Sequence, residues 1–398
     1  MIRAARMNRA LAMVGAAALP VWWLVVLGFG LVDAPAAEVL WSGLAIFGAA
    51  FLLSWGCEVA QLDIPQALAI AVLALIAVLP EYAVDAYFAW QAGQDPQYTA
   101  YATANMTGAN RLLIGVGWSL PVVVAWARFG STSIRLAPDQ AIEVRYLAIA
   151  TLYSFVIPVK GTLSLIDTLV LFTLFAAYIR RASRVQHVEP ELDGPAESIA
   201  ALGPTRRRAV VVLLAMLAGG AILTAAEPFA EGLIAIGDQW GIEKFLLVQW
   251  LAPLASESPE FIIAILFAVR GLAATGISTL VSSKVNQWTL LVGALPLVFS
   301  ISSAGLDPMV LDTRQRQEIF LTSAQSLFGV TVLANFTFGL REALVLFTLF
   351  SAQLVTTSGE ARLWFAYGYV ALAIGNVLRN ADTRRSIIAL LRPSGSVS

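Results

Sequence analysis

Leu169-Val170-Leu171-Phe172-Thr173-Leu174-Phe175 returns, residue for residue, as Leu344-Val345-Leu346-Phe347-Thr348-Leu349-Phe350, an offset of 175. Two further matches keep the same order. Leu79-Pro80-Glu81 answers Ser258-Pro259-Glu260 at an offset of 179, and Leu112-Leu113-Ile114-Gly115 answers Leu290-Leu291-Val292-Gly293 at 178. One apolar heptad can recur by chance in so leucine-rich a chain, but three ordered matches at nearly one offset define an internal duplication. Between the copies runs a long polar stretch, 181–207, rich in Arg, Glu, Pro and Gly, which reads as a linker.

The solvent of both copies is lipid. Of 398 residues 59% are hydrophobic and 13% charged, with mean hydropathy +0.77, whereas a soluble domain carries about 25% charged residues. Apolar windows of roughly twenty residues, the length needed for a hydrocarbon core of about 30 Å, fall at 10–32, 39–57, 66–91, 99–126, 143–159, 163–179, 208–236, 243–269, 275–300, 317–337, 342–357 and 363–378. The first follows Arg3, Arg6 and Arg9 and precedes Ala34-Pro35-Ala36, as in a secretory signal. It is longer than the roughly 7–15 residues of a signal core, so a retained helix is expected. The reading is an all-α polytopic membrane protein of about twelve helices. Residues 1–37 hold an extra helix, 38–180 the first five-helix repeat, 181–207 the linker, 208–358 the second repeat, and 359–398 a last helix and tail.

Five is odd, so the second repeat enters the membrane the opposite way round. Inverted repeats of this kind place a transport site at the midplane, among broken helices. Basic residues set the orientation. With the N-terminus in the cytoplasm, Arg3, Arg6, Arg9, Arg128, Arg135, Arg180, Arg181, Arg184, Arg206, Arg207, Arg208, Arg270, Arg341, Arg379, Arg384, Arg385 and Arg392 fall inside. Only Lys160, Lys244, Arg314, Arg316 and Arg362 fall outside. Both termini are therefore expected in the cytoplasm, and the setting is a bacterial inner membrane.

Several chemistries are excluded early. Net charge is −1, which gives no bias toward nucleic acid. The one cysteine, Cys57, allows no disulfide within the chain, and the one histidine, His187, lies in the polar linker. No metalloprotease, nucleophile or phosphate-loop pattern occurs, so no enzymatic activity and no cofactor are expected.

What remains is a set of acids in apolar helices. Pro80 and Pro259 remove a backbone donor inside a helix and should break it, and freed carbonyls at membrane depth are tolerated only where they line a cavity. Glu81 and Glu260 follow these prolines. A carboxylate in hydrocarbon costs several kcal/mol and so implies a partner, a cation or a proton. Asp85 lies one turn beyond Glu81; Glu257 and Ser256 lie one turn before Glu260. The next helix of each repeat is polar, with Asn105 and Asn110 in the first and Ser283, Lys284 and Asn286 in the second. Amide and hydroxyl oxygens are hard neutral ligands that suit Na+ or Ca2+ when carboxylates complete the shell. Arg111 is a weaker candidate. Asp167 and Glu342, equivalent under the repeat and near helix N-termini, read as dipole partners.

Ala255-Ser256-Glu257-Ser258-Pro259-Glu260 resembles the G-T-S-x-P-E pattern of the sodium/calcium exchanger (cation/Ca2+ antiporter) superfamily, and Ile76-Ala77-Val78-Leu79-Pro80-Glu81 is similar to its first copy. Asn105 to Asn110 resembles the companion G-N-x-x-G-S-N motif, with Gly108 and Asn110 in register. The resemblance covers both repeats. It implies cation-binding glutamates at Glu81 and Glu260, which would be the metal ligands, a site asparagine at Asn105, and Ser283 as the opposing position. The chain departs from the pattern at Ala77 and Val78, where the family offers two hydroxyls, and at Glu257, where it offers one. Lys284 places an ammonium beside Ser283, a fixed cation able to compensate charge in place of a bound ion.

The expected function is a secondary active cation antiporter working by alternating access. Na+ or H+ would exchange against a metal cation, possibly Ca2+, at Glu81, Asp85, Asn105, Ser256, Glu257, Glu260 and Ser283. The alternatives are a scaffold or sensor that has lost ion binding, and a carrier of another solute on the same fold. The implied partners are the lipid bilayer and the transported cations.

Overall fold

A computed structural model describes residues 2–32, 34–63, 79–136, 140–183, 192, 194–354 and 358–391. Ala77, Val78 and His187 lie outside the described residues. The elements are α1 (Ile2–Phe29), α2 (Pro35–Ala60), α3 (Leu79–Ala92), α4 (Tyr98–Leu112), α5 (Ser119–Phe129), β1 (Ser133–Arg135), α6 (Ala141–Ser154), α7 (Val156–Lys160), β2 (Thr162–Leu163), α8 (Leu165–Ala182) and α9 (Pro195–Ala200). They continue with α10 (Pro204–Trp240), α11 (Lys244–Val269), α12 (Ala273–Asn286), α13 (Val292–Ser302), β3 (Met309–Val310), α14 (Thr313–Leu333), β4 (Thr337–Gly339), α15 (Leu340–Leu354), α16 (Gly359–Arg379) and α17 (Ala381–Leu391).

Each apolar window is mostly helical where it is described, with strand residues at the edges of 163–179 and 317–337. Seven helices among the described residues are long and apolar enough to cross a membrane, or eight when α11, bent between Ser258 and Glu260, counts as one broken span. The break falls at Pro259, as the missing donor requires. Pro80 sits in the first described turn of α3, so a break on its N-terminal side lies outside the described residues.

The chain divides into two compact units, 1–88 with 179–259 and 89–178 with 260–398. Each unit takes part of both repeats. In the first, α2 packs along α10, its counterpart from the other repeat, and α1 covers the pair. Ala49, Leu52, Leu53 and Val59 interlock with Leu214, Ala218, Ala221 and Ile222. The contacts are reciprocal under the repeat. Val39 lies over Gly232, where a Cβ would come within 2.6 Å of it, and Leu214 lies over Gly56. The Trp23 indole donates to Thr224 Oγ1 at 3.2 Å.

A carboxylate clamps the polar ends of α2 and α10. Asp63 accepts from Arg207 Nε at 2.7 Å and Nη2 at 2.8 Å, and from Arg208 Nε at 3.1 Å. The hydrogen bonds from Arg207 foremost hold its carboxyl down at about 2. A depressed carboxyl stabilises the fold above its unfolded value, about 3.9, and that contribution disappears as pH falls toward the folded value. An Asp63→Asn protein is therefore expected to show a flatter decline in melting temperature between about pH 4 and pH 2. Parallel curves for parent and variant would mean the clamp contributes nothing to stability.

The second unit displays its internal two-fold most openly. β1 pairs antiparallel with β4, and β2 with β3. Ser133 and Met309 open β1 and β3 at an offset of 176, and Thr162 and Thr337 open β2 and β4 at 175, so each pairing is the repeat image of the other. Five-residue π turns follow α4 and α12 at Leu113–Gly117 and Gln287–Leu291, an offset of 174. Such turns insert one extra residue and cluster at functional sites. Ser119 Oγ donates to the Ala343 carbonyl at 2.9 Å and Thr168 Oγ1 to that of Gly293 at 2.8 Å, again counterparts exchanged.

Candidate functional site

In the first unit the carboxylates sit where the apolar sequence placed them. Glu81, in the first turn of α3, and Asp85, one turn on, are each 2% exposed. On α11, Ser256 and Glu257 are also buried. The Ser256 hydroxyl donates back to its own helix, 3.3 Å from the carbonyls of Ala252 and Pro253. That bond uses its proton and leaves its lone pairs for a cation. A fourth acid, Glu231 on α10, accepts from the Tyr87 hydroxyl at 2.8 Å. The sequence reading did not single it out, because it lies far from either proline.

In the second unit, Asn105 is buried mid-way along α4 and Glu260 is half-buried just past the break in α11. Thr103 and Thr107 flank Asn105, but their hydroxyls turn back on the Thr99 and Thr103 carbonyls at 2.8 and 2.7 Å. The polar face of α4 thus offers an amide rather than hydroxyl protons. In the register fixed by the helices and π turns, the counterpart of Asn105 is Thr279. The LLIG/LLVG match is shifted by one helical turn, which keeps the same face. Thr279 is exposed and bonds back to Thr275 at 3.1 Å. Ser283, one turn further, is buried, and its Oγ has no hydrogen-bond partner among the described residues. A buried hydroxyl without a partner is costly unless a ligand completes it.

Lys284 is fully buried. Its Nζ donates to the Asn110 carbonyl at 2.8 Å and to Asn110 Oδ1 at 2.5 Å, and lies 5.0 Å from the Trp288 ring centroid. Asn110 itself donates Nδ2 to the Met106 carbonyl at 2.8 Å. Lys284 and Asn110 are counterparts at the 174 offset. Residues related by a two-fold touch only at its axis, so the ammonium stands on the internal two-fold of the second unit. Its burial rules out snorkelling to an interface.

Two of the weaker candidates, Asp167 and Arg111, sit in ion pairs. Asp167 is fully buried and accepts from the Ser164 backbone at 2.7 Å, from Ser164 Oγ at 2.9 Å and from the Tyr153 hydroxyl at 2.8 Å, with an ion pair to Lys160. Arg111 pairs with Glu318, Nη2 to Oε2 at 2.7 Å, and Arg362 joins the same carboxylate at 2.9 Å. Glu318 escaped the sequence reading because its apolar window opened at 317, leaving this acid at a helix end. α14 starts earlier, at a capping box in which Asp312 accepts from the Gln315 backbone at 2.7 Å and Gln315 Oε1 accepts from the Asp312 backbone at 3.0 Å. The Asp-x-x-Gln signature was legible in the sequence and would have moved Glu318 inside the helix.

Within either unit no three His, Cys, Asp or Glu side chains among the described residues gather as a metal cage. A cation held here needs neutral oxygens from amides, hydroxyls and the backbone as well as carboxylates.

A family model described as sodium/calcium exchanger protein matches the chain twice, at residues 34–183 and 210–359. A crystal structure of the H+/Ca2+ exchanger CAX is 42% identical, with a TM-score of 0.92, over 96% of this chain and 97% of that one. The native YfkE structure shares the fold at 14% identity and a TM-score of 0.60, over 91% of this chain and 100% of that one. The sodium-calcium exchanger NCX_Mj, soaked with Na+ and Sr2+, shares it at 16% identity and 0.54, over 81% and 98%. Among curated proteins none matches the chain. With its duplicated helical architecture and both copies matched, this integral membrane protein belongs to the sodium/calcium exchanger family of cation antiporters.

Proposed function

We propose that the protein exchanges protons for Ca2+ or a similar divalent cation by alternating access. The carboxylates of Glu81 and Glu260 would be the principal cation ligands. Asp85, Asn105, Ser256, Glu257 and Ser283 would supply further oxygens, and both termini would lie on the cytoplasmic side. The observation that carries the choice of coupling ion is Lys284. Its ammonium is fully buried and donates to both oxygens of Asn110. A tethered cation cannot be carried across, and by holding both Asn110 oxygens it takes neutral ligands that a bound Na+ would need. A proton added to a carboxylate needs no ligand shell of its own, so it does not compete for those oxygens. The 42% identity with an H+/Ca2+ exchanger supports the same choice.

Flux in proteoliposomes tests the reading. Ca2+ movement is expected under an imposed pH gradient and not under a Na+ gradient of equal size. Lys284→Met protein is expected to gain Na+-driven Ca2+ flux, since the Asn110 oxygens are then free to hold Na+. Na+-driven flux in the parent would overturn proton coupling. Flux under neither gradient, with no cation binding at equilibrium, would favour a scaffold that has lost transport.

A further inference from the structure

A groove of about 890 Å³ lies between α15 and α16 in the second unit, away from every residue assigned to cations above. Val345 and Leu349 form one wall and Phe365 and Leu372 the other. The floor is open at Gly368 and Gly375, where an added Cβ would meet nothing within 4 Å. Trp364, 74% exposed, lies toward one end and Arg379, with Arg341 across from it, toward the other. From Trp364 to Arg379 is fifteen residues of α16, about 22 Å at 1.5 Å per residue. One leaflet of a hydrocarbon core about 30 Å thick is shorter than that.

The ends differ in chemistry. Arg341 and Arg379 are exposed, and among the described residues neither meets a carboxylate. Glu342 lines the same end, so two guanidiniums stand against one carboxylate, a surplus of one positive charge. Asn376 is already committed, donating to the Thr331 carbonyl at 3.0 Å. Indole rings favour the headgroup level of a bilayer, and basic pockets between membrane helices attract anionic headgroups. An apolar channel of acyl length with a basic mouth matches a lipid. A helix of a second copy would seat hydrocarbon against two charged guanidiniums.

We propose that this groove binds one anionic phospholipid, its phosphate held by Arg341 and Arg379 and an acyl chain lying along Gly368 and Gly375. The test is native mass spectrometry of the detergent-solubilised full chain, titrated with phosphatidylglycerol or with phosphatidylcholine of the same chain length. The parent is expected to retain phosphatidylglycerol at least about tenfold more tightly, given about 1 kcal/mol for each basic residue. A protein carrying Arg341→Gln and Arg379→Gln is expected to bind the two lipids equally. Gly368→Leu, which fills open space and leaves both arginines, is expected to weaken both lipids. Unchanged melting temperatures in lipid-free detergent separate these effects from misfolding. Equal retention of the two lipids by the parent would overturn the proposal. So would a dimer that Gly368→Leu dissociates, because the groove would then belong to a second copy.

Discussion

Glu81→Gln and Glu260→Gln proteins are each expected to insert and fold like the parent, yet lose Ca2+ transport by on the order of 100-fold or more. Glutamine keeps the volume and one carbonyl oxygen of glutamate, so packing is preserved. What it loses is the charge that offsets a divalent cation's dehydration and the ability to release a proton. Under the proposed exchange both losses act on the same cycle: the variant neither holds the cation nor returns a proton. The two carboxylates occupy corresponding places after Pro80 and Pro259, so the two single variants should fail alike. Initial rates of Ca2+ uptake into proteoliposomes, normalised to inserted protein, measure this. A variant retaining half the parent's rate would remove that glutamate from the transport step. Melting temperature and elution volume in detergent check that loss of rate is not loss of fold.

The duplication made the fold legible. The recurring heptad at Leu169 and Leu344 lies on α8 and α15, which open at an offset of 175, and each apolar window is mostly helical where it is described. The strands escaped notice because each has only two or three residues, too few for an alternating pattern to register. The π turns escaped as well, since an extra residue in a helix leaves little compositional trace. Among the candidate residues, the buried acids were legible because a carboxylate in an apolar run is conspicuous. The partner of Lys284 was not. The motif offset set Asn105 opposite Ser283, whereas the helix register sets Asn110 opposite Lys284, and only a structure shows that those two counterparts meet. Glu318 was hidden by a misplaced helix start, although its capping box was in plain sight.

That hidden acid carries the largest expected effect on stability. Glu318 is 3% exposed and receives Arg111 at 2.7 Å and Arg362 at 2.9 Å, tying α14 to α4 and α16 through one carboxylate. Arg362 also donates to Gln317 Oε1 at 3.1 Å, and Gln353, beside Arg111, donates to the Tyr369 hydroxyl at 2.7 Å. Removing this carboxylate takes an ion pair from each of two buried guanidiniums, so Glu318→Gln is expected to cost about 3–5 kcal/mol. Replacing the whole triad by Arg111→Met, Glu318→Leu and Arg362→Met removes the charges together and should recover much of that loss. The exposed pair Asp382–Arg385, at 3.9 Å, is the control; Asp382→Asn is expected to change stability by less than about 1 kcal/mol. Unfolding free energies from titration with a denaturing detergent order the three proteins. Glu318→Gln falling level with Asp382→Asn would mean that the network does not hold these helices. The functional stake is local: Arg111 follows Asn110 in α4, and Asn110 accepts both hydrogen bonds from Lys284. A loosened α4 would therefore shift the ammonium on which the proposed proton coupling rests.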